Sequence, residues 1–219
     1  MPARIPSRSS VPSLALVLGA LALPWLVAGC APFQQAPQES PSLHVLQPGA
    51  PSTTALRRSA VVVEVNVPRA TPGFDTPRIA YVERPYAIEY FSRSEWTDTP
   101  ARMLGPLLAR ALEESGAFRA VVLAPTSVQA ELRLDVELVR LQQDFTVKPS
   151  RADLALRVQV VDLTARRVLA TRVVEETEPA ATQDAYGGVA AANVALRRAL
   201  ERTVAFVAGE ASAIRPAGP

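Results

Sequence analysis

Three stretches in the second half of the chain alternate apolar and polar residues, and this alternation restricts the fold more than any other feature. Residues 130–145, AELRLDVELVRLQQDF, place Leu132, Leu134, Val136 and Leu138 on one side and Arg133, Asp135 and Glu137 on the other. Successive side chains of a strand point to opposite faces, so the pattern describes a strand with one covered and one solvated face. The phase changes at Val139 to Leu141, which predicts a bulge or bend. Residues 153–163 alternate again through Leu154, Leu156, Val158 and Val160; after a turn at 162–166 the strand returns over 167–176. Long strands joined by short connections form an antiparallel meander.

Two segments have the helical period needed to cover the apolar face. In the first, Leu104, Leu107, Leu108, Ala111 and Leu112 form a stripe. Thr99 (alternatively Asp98) stands at the N-cap, Pro100 is the first helical residue, and Ser115-Gly116 is the stop. The second runs from about Asp184 to Gly209 with a stripe of Val189, Ala192, Leu196, Ala199, Leu200, Thr203 and Val207; Gly187 and Gly188 weaken its first turns. Upstream, residues 60–67 read as a buried strand and Pro68 to Pro77 as a loop. Residues 78–82 and 86–91 read as a hairpin around Glu83-Arg84-Pro85, and residues 118–123 as a short strand. The order β-β-β-α-β-β-β-β-α predicts an α+β fold: a mixed, mostly antiparallel β-sheet with two amphipathic helices packed on one face.

The N-terminus is of another kind. Arg4 and Arg8 precede an apolar run from Leu14 to Val27, which has the length of a signal-peptide core and is short for a spanning helix. Leu26-Val27-Ala28-Gly29-Cys30 resembles the lipobox of bacterial lipoproteins: small residues admit the peptidase, and the thiol accepts the lipid. Residues 1–29 are therefore expected to be removed, with Cys30 the lipid-attachment site carrying acyl chains such as palmitate; several chains anchor more firmly than one. Residues 30–57, rich in Pro, Gln and Ser, read as lipidated N-terminus and flexible tether, with an early strand at Leu43, Val45 and Leu46 as an alternative. Residues 58–210 are expected to form the domain and 211–219 a disordered tail. Ala31, by resemblance to lipoprotein sorting rules of Gram-negative bacteria, favours the outer membrane.

Composition narrows the chemistry. Arg4 and Arg8 are two of 23 basic residues, so the mature chain carries 21 basic and 21 acidic side chains and lacks the net charge that nucleic acid demands. Cys30 is the only cysteine and His44 the only histidine, which excludes an intramolecular disulfide and leaves little for zinc or a nucleophile–histidine pair. His44 reads as solvated. There is no phosphate loop and no nucleophile elbow. Glu175, Glu176 and Glu178 read as a turn, and the Arg pairs 57–58, 166–167 and 197–198 as surface charge. No cofactor, metal or catalytic residue is expected, and the chain is read as a non-enzyme. Tyr81, Tyr86, Tyr90, Phe91 and Trp96 fall within sixteen residues. They form either a core cluster or, through Tyr86, Phe91 and Trp96, a contact with a partner or with lipid.

The runs Gly73-Phe74-Asp75-Thr76-Pro77-Arg78-Ile79-Ala80-Tyr81, Ile88-Glu89-Tyr90-Phe91 and Trp96-Thr97-Asp98-Thr99-Pro100, followed by Leu112 to Phe118 and Leu132 to Glu137, resemble the ABC-type transport auxiliary lipoproteins, among them the paraquat-inducible protein C type. The resemblance covers residues 43 to 209. It implies a lipid-anchored periplasmic domain serving an ABC transporter with a mammalian-cell-entry (MCE) component, in lipid transport between the two membranes; it supplies no catalytic residues and leaves a homo-oligomer open. The alternative is a structural assembly lipoprotein of the outer-membrane envelope machinery; a carboxylate hydrolase is a distant third. Cys30→Ser is expected to lose the acyl mass and move from the membrane pellet to the soluble fraction. Unchanged partition would contradict lipidation.

Overall fold

The structure, a computed structural model, describes residues 40–49 and 56–214. The expected signal peptide, Cys30, most of the tether and residues 215–219 lie outside them. Among the described residues nine strands form one sheet: β1 (Ser42–His44), β2 (Val62–Val65), β3 (Arg69–Ala70), β4 (Arg78–Val82), β5 (Glu89–Trp96), β6 (Ala120–Leu123), β7 (Leu132–Asp144), β8 (Arg151–Asp162) and β9 (Arg167–Pro179). A 3₁₀ turn, Pro72–Phe74, separates β3 from β4. The helices are α1 (Pro100–Glu114) and α2 (Ala185–Ala213).

β7 is the axis. One edge pairs antiparallel with β8 along its whole length, and β8 pairs antiparallel with β9. The other edge pairs in parallel with β2, then β3, then β4. These three are one course of chain running beside β7, interrupted where Pro68 lacks an N–H and where residues 71–77 loop out. β6 adds in parallel outside β2; β5 pairs antiparallel with β4, and β1 lies parallel to β5.

The alternation sets which face is covered. Leu132, Leu134, Leu138, Leu154, Leu156, Val158 and Val160 are at most 1% exposed. Both helices pack on β7 and on each other, so they share one face: α2 over β8 and β9, α1 over β2, β3 and β6. Each fully buried Leu or Val removes apolar area worth about 1.5–3 kcal/mol from water. The phase change is a bulge: Leu138 faces Leu156, Arg140 faces Ala155, and Val139 is the extra residue. It returns Leu141 to the covered face. The whole expected stripe of α2 is buried, and Thr203 satisfies its hydroxyl on the Ala199 carbonyl. α1 starts at Pro100 after Thr99, whose own side chain makes no cap bond; Asp98 Oδ1 accepts the Thr99 N–H at 2.7 Å.

One open alternative is decided and three boundaries differ from expectation. The early strand offered within the tether forms as β1, held by β5 on one side and by Asn193 of α2, whose amide accepts from Gln47 N–H and donates to the Val45 carbonyl. His44 is accordingly half-buried rather than solvated. The second hairpin strand starts at Glu89, not Tyr86, and continues through the polar residues Ser92 to Glu95 because β1 and β4 flank it. The loop at 68–77 contains β3. At the other terminus, α2 extends to Ala213, into the segment read as tail.

Gly187 and Gly188 are not weak points. A Cβ at Gly187 would overlap the Thr182 carbonyl oxygen, and one at Gly188 the buried Gln143 amide. Intrinsic propensity favours Ala over Gly by about 1 kcal/mol in a helix. Gly187→Ala is nevertheless expected to destabilise the domain by about 1–3 kcal/mol, read as a lower denaturant midpoint at unchanged slope. A stabilised variant would contradict this packing.

Candidate functional site

The feature that stands out is one end of the sheet. Val82, Asp144, Arg151 and Pro179 lie level with one another across β4, β7, β8 and β9. Residues 83–88, 145–150 and 180–184 therefore emerge together, beside the start of α2. Below the turn, Tyr81 donates to Glu89 Oε2 at 3.0 Å, and its ring packs on Phe91 (4.7 Å between centroids) and edge-on to Phe145 (5.9 Å). The hydrogen bond to Glu89 holds the phenol proton and raises the Tyr81 pKa; burial and the nearby carboxylate charges add to the effect. The Arg78 guanidinium lies 3.9 Å from the Tyr90 ring centre, and Tyr90 donates to the Gly73 carbonyl.

The three aromatics singled out in the sequence part company here. Trp96 is 4% exposed, enclosed between the sheet and α2 beside Val189 and Ala192. A side chain so enclosed cannot touch a partner directly. Phe91 is half-buried in the Tyr81 cluster. Tyr86 is fully exposed, with φ +67°, a left-handed backbone that costs a bulky residue energy.

Behind this end, polar side chains fix the chain reversals. Gln143 donates to Ser150 Oγ, and the Ser150 N–H donates to Gln183 Oε1. Arg151 bridges Asp144 and Asp153, both nearly buried. Asp184 caps α2 by accepting from the Gly187 N–H; the bonds from the Thr182 hydroxyl and from Gly187 lower its pKa. The acidic run belongs to β9 rather than a turn. Arg198 binds Glu176, Glu178 and the Thr177 carbonyl, and Arg202 adds to Glu176. Arg198 is thus a structural bridge from α2 to β9, not free surface charge. The Glu178 and Glu176 bonds raise its pKa against the opposing effect of burial.

The solvated face has a groove of about 170 Å³ where β2 breaks from β3; Asp135 there is tied to Arg133 and Asn66. At the end of the sheet three carboxylates accept from hydroxyls: Glu89 from Tyr81, Asp144 from Thr146 and Asp184 from Thr182. Among the described residues no group of three or more His, Cys, Asp or Glu side chains could hold a metal ion, and no helix is long and apolar enough to cross a membrane. Sequence reasoning missed Tyr186, in the first turn of α2 and 70% exposed; a lone tyrosine beside two glycines gave no pattern to find.

The model of the ABC-type transport auxiliary lipoprotein component family matches residues 44–208. The chain belongs to this family. The match runs from β1 to within a turn or so of the end of α2, so it covers nearly all the described domain of this transport auxiliary lipoprotein. The family is one of membrane-anchored periplasmic lipoproteins. A crystal structure of a Xanthomonas campestris protein is similar with a TM-score of 0.73 and 20% identity, over 78% of this chain and 97% of that one. An uncharacterized protein of known structure is similar at 0.59 and 10% identity, over 78% and 99%, and a hypothetical protein from Chlamydia trachomatis at 0.50 and 13%, over 71% and 100%. At these identities the likeness shows the fold. Among curated proteins none is significantly similar in sequence.

Asp153 offers a pH test of the polar cluster. Burial raises its carboxyl above the usual value of 3.8, and Arg151 opposes the rise without cancelling it. A raised folded-state pKa contributes stability fully present below 3.8 and lost as pH rises through the folded value. Asp153→Asn removes that loss. Thermal midpoints are expected to show the variant gaining on the parent as pH rises from below 3.8 to neutrality. A variant that loses ground over that range would mean the Arg151 pair outweighs burial.

Proposed function

We propose that this lipoprotein is a non-enzymatic accessory subunit of an MCE-type ABC transporter involved in lipid transport between the membranes. The observation that carries the reading is the family match across nearly the whole domain. Within the family, the ordered motifs of the β4–β5 hairpin and the start of α1 resemble the paraquat-inducible protein C type. The polar clusters at the end of the sheet hold chain reversals, which suits a domain that acts by position. The domain acts by position, attached to a membrane through Cys30 while its surface meets the periplasmic MCE component. Ala31 after the lipidated cysteine supports the outer membrane as the site of attachment. A homo-oligomer of the chain is compatible with this role.

Affinity-tagged full-length protein, extracted in detergent from its native host, is expected to bring down an MCE-domain protein with its ATPase and permease. Repeated recovery of the protein alone, or with envelope-assembly proteins, would overturn the reading.

A further inference from the structure

We propose that the hairpin end of the domain rests on the surface of a lipid bilayer, with Tyr86, Ile88 and Tyr186 in the headgroup region. The inference deepens the reading of a Cys30-anchored lipoprotein and rests on it. Three observations converge.

The first is where the anchor enters. β1 runs parallel to β5, with Ser42 level with Ser94. β5 begins at Glu89, directly after the turn that carries Tyr86. The chain preceding Ser42 therefore approaches from the hairpin end. Ser40 follows Cys30 by ten residues, and a fully extended chain of that length reaches about 35 Å. A lipid on Cys30 therefore tethers Ser40 within that reach of a membrane.

The second is what this end presents. Tyr86 is fully exposed, Tyr186 70% and Ile88 44%. Arg84 and Lys148 stand exposed beside them. Tyrosine has an apolar ring and a polar tip, which suits the boundary between headgroups and acyl chains, and basic side chains reach lipid phosphates from there. The acidic groups at this end are mostly engaged: Glu89 by Tyr81, Asp144 and Asp153 by Arg151, Glu178 by Arg198, and Asp184 as the helix cap. Glu83 is the exposed carboxylate of the turn. All four tyrosines of the chain, Tyr81, Tyr86, Tyr90 and Tyr186, belong to this half of the sheet and helix layer. The opposite turn, residues 163–166, carries Thr164 and Arg166.

The third is the backbone of Tyr86. A left-handed φ of +67° on a solvent-exposed aromatic is unfavourable for the isolated domain. Contact of the ring with a bilayer supplies the interaction that the free domain lacks.

Because Cys30 is the only native cysteine and carries the lipid, an introduced cysteine is the sole free thiol. Tyr86→Cys, Tyr186→Cys and Thr164→Cys, each in the mature lipidated protein, are labelled with a fluorophore. They are then reconstituted on vesicles of phosphatidylethanolamine and phosphatidylglycerol containing headgroup-level quencher lipids. The labels at 86 and 186 are expected to be quenched several-fold more than the label at 164. Equal quenching at the three positions, with protein still floating with the vesicles, overturns the proposal and leaves the anchor standing. Protein that does not float overturns the anchor as well. Unquenched labels at 86 and 186 that become shielded when the co-purified MCE-domain protein is added overturn it in favour of a protein contact.

Discussion

The domain depends on one strand being paired along both edges. β7 carries β8 on one side for its full length and the β2–β3–β4 course on the other. Its covered face supplies Leu132, Leu134, Val136, Leu138 and Leu141 to the core beneath both helices. Local sequence could not make such a strand stable by itself; pairing with non-local partners does. The bulge at Val139 keeps thirteen residues useful. Without the extra residue, the register would carry Arg140 and Gln142 to the covered face and Leu141 to water.

The same strand gives the molecule its direction. Because β4 ends level with β7, and β8 and β9 meet there too, the hairpin, two connections and the start of α2 gather at one end. Side chains then hold that end rigid. Ser150 is buried and bonded to Gln143 and Gln183, and Gly187 and Gly188 let α2 begin against Thr182 and Gln143. Further along α2, Arg198 and Arg202 engage a nearly buried Glu176. Removing one partner from such a pair costs more than the pair contributes, because the remaining charge stays desolvated. Arg198 also covers the Thr177 carbonyl on β9, which has no strand beyond it in the described sheet, and so blunts part of an edge open to unwanted pairing.

Much of this was legible in the sequence. Strict alternation in 132–138 and 154–160 has period two and fixes both face and register, so β7 and β8 came out with their bulge. The α2 stripe has an equally regular helical period and every member is buried. What was illegible depends on partners far along the chain. Ser94 and Glu95 carry no strand pattern and are strand because β1 docks beside them and β4 lies on the other side. Arg198 reads as surface charge until β9 is laid under α2. Trp96 could be core or contact by composition, and only the position of α2 decides it. Tyr86 could likewise be core or contact by composition, and its left-handed backbone has no sequence signature outside Gly, Asn and Asp. The family was legible from the order of short motifs, none of them specific alone.

Amide hydrogen exchange of the domain tests the dependence on β7 most directly. The backbone amides of Leu134 to Leu138 and their partners on β8 are expected to exchange only through global unfolding, more slowly than those of β1, β6 or the outer half of β9. Faster exchange in that stretch than at the sheet edges would contradict an architecture organised on β7.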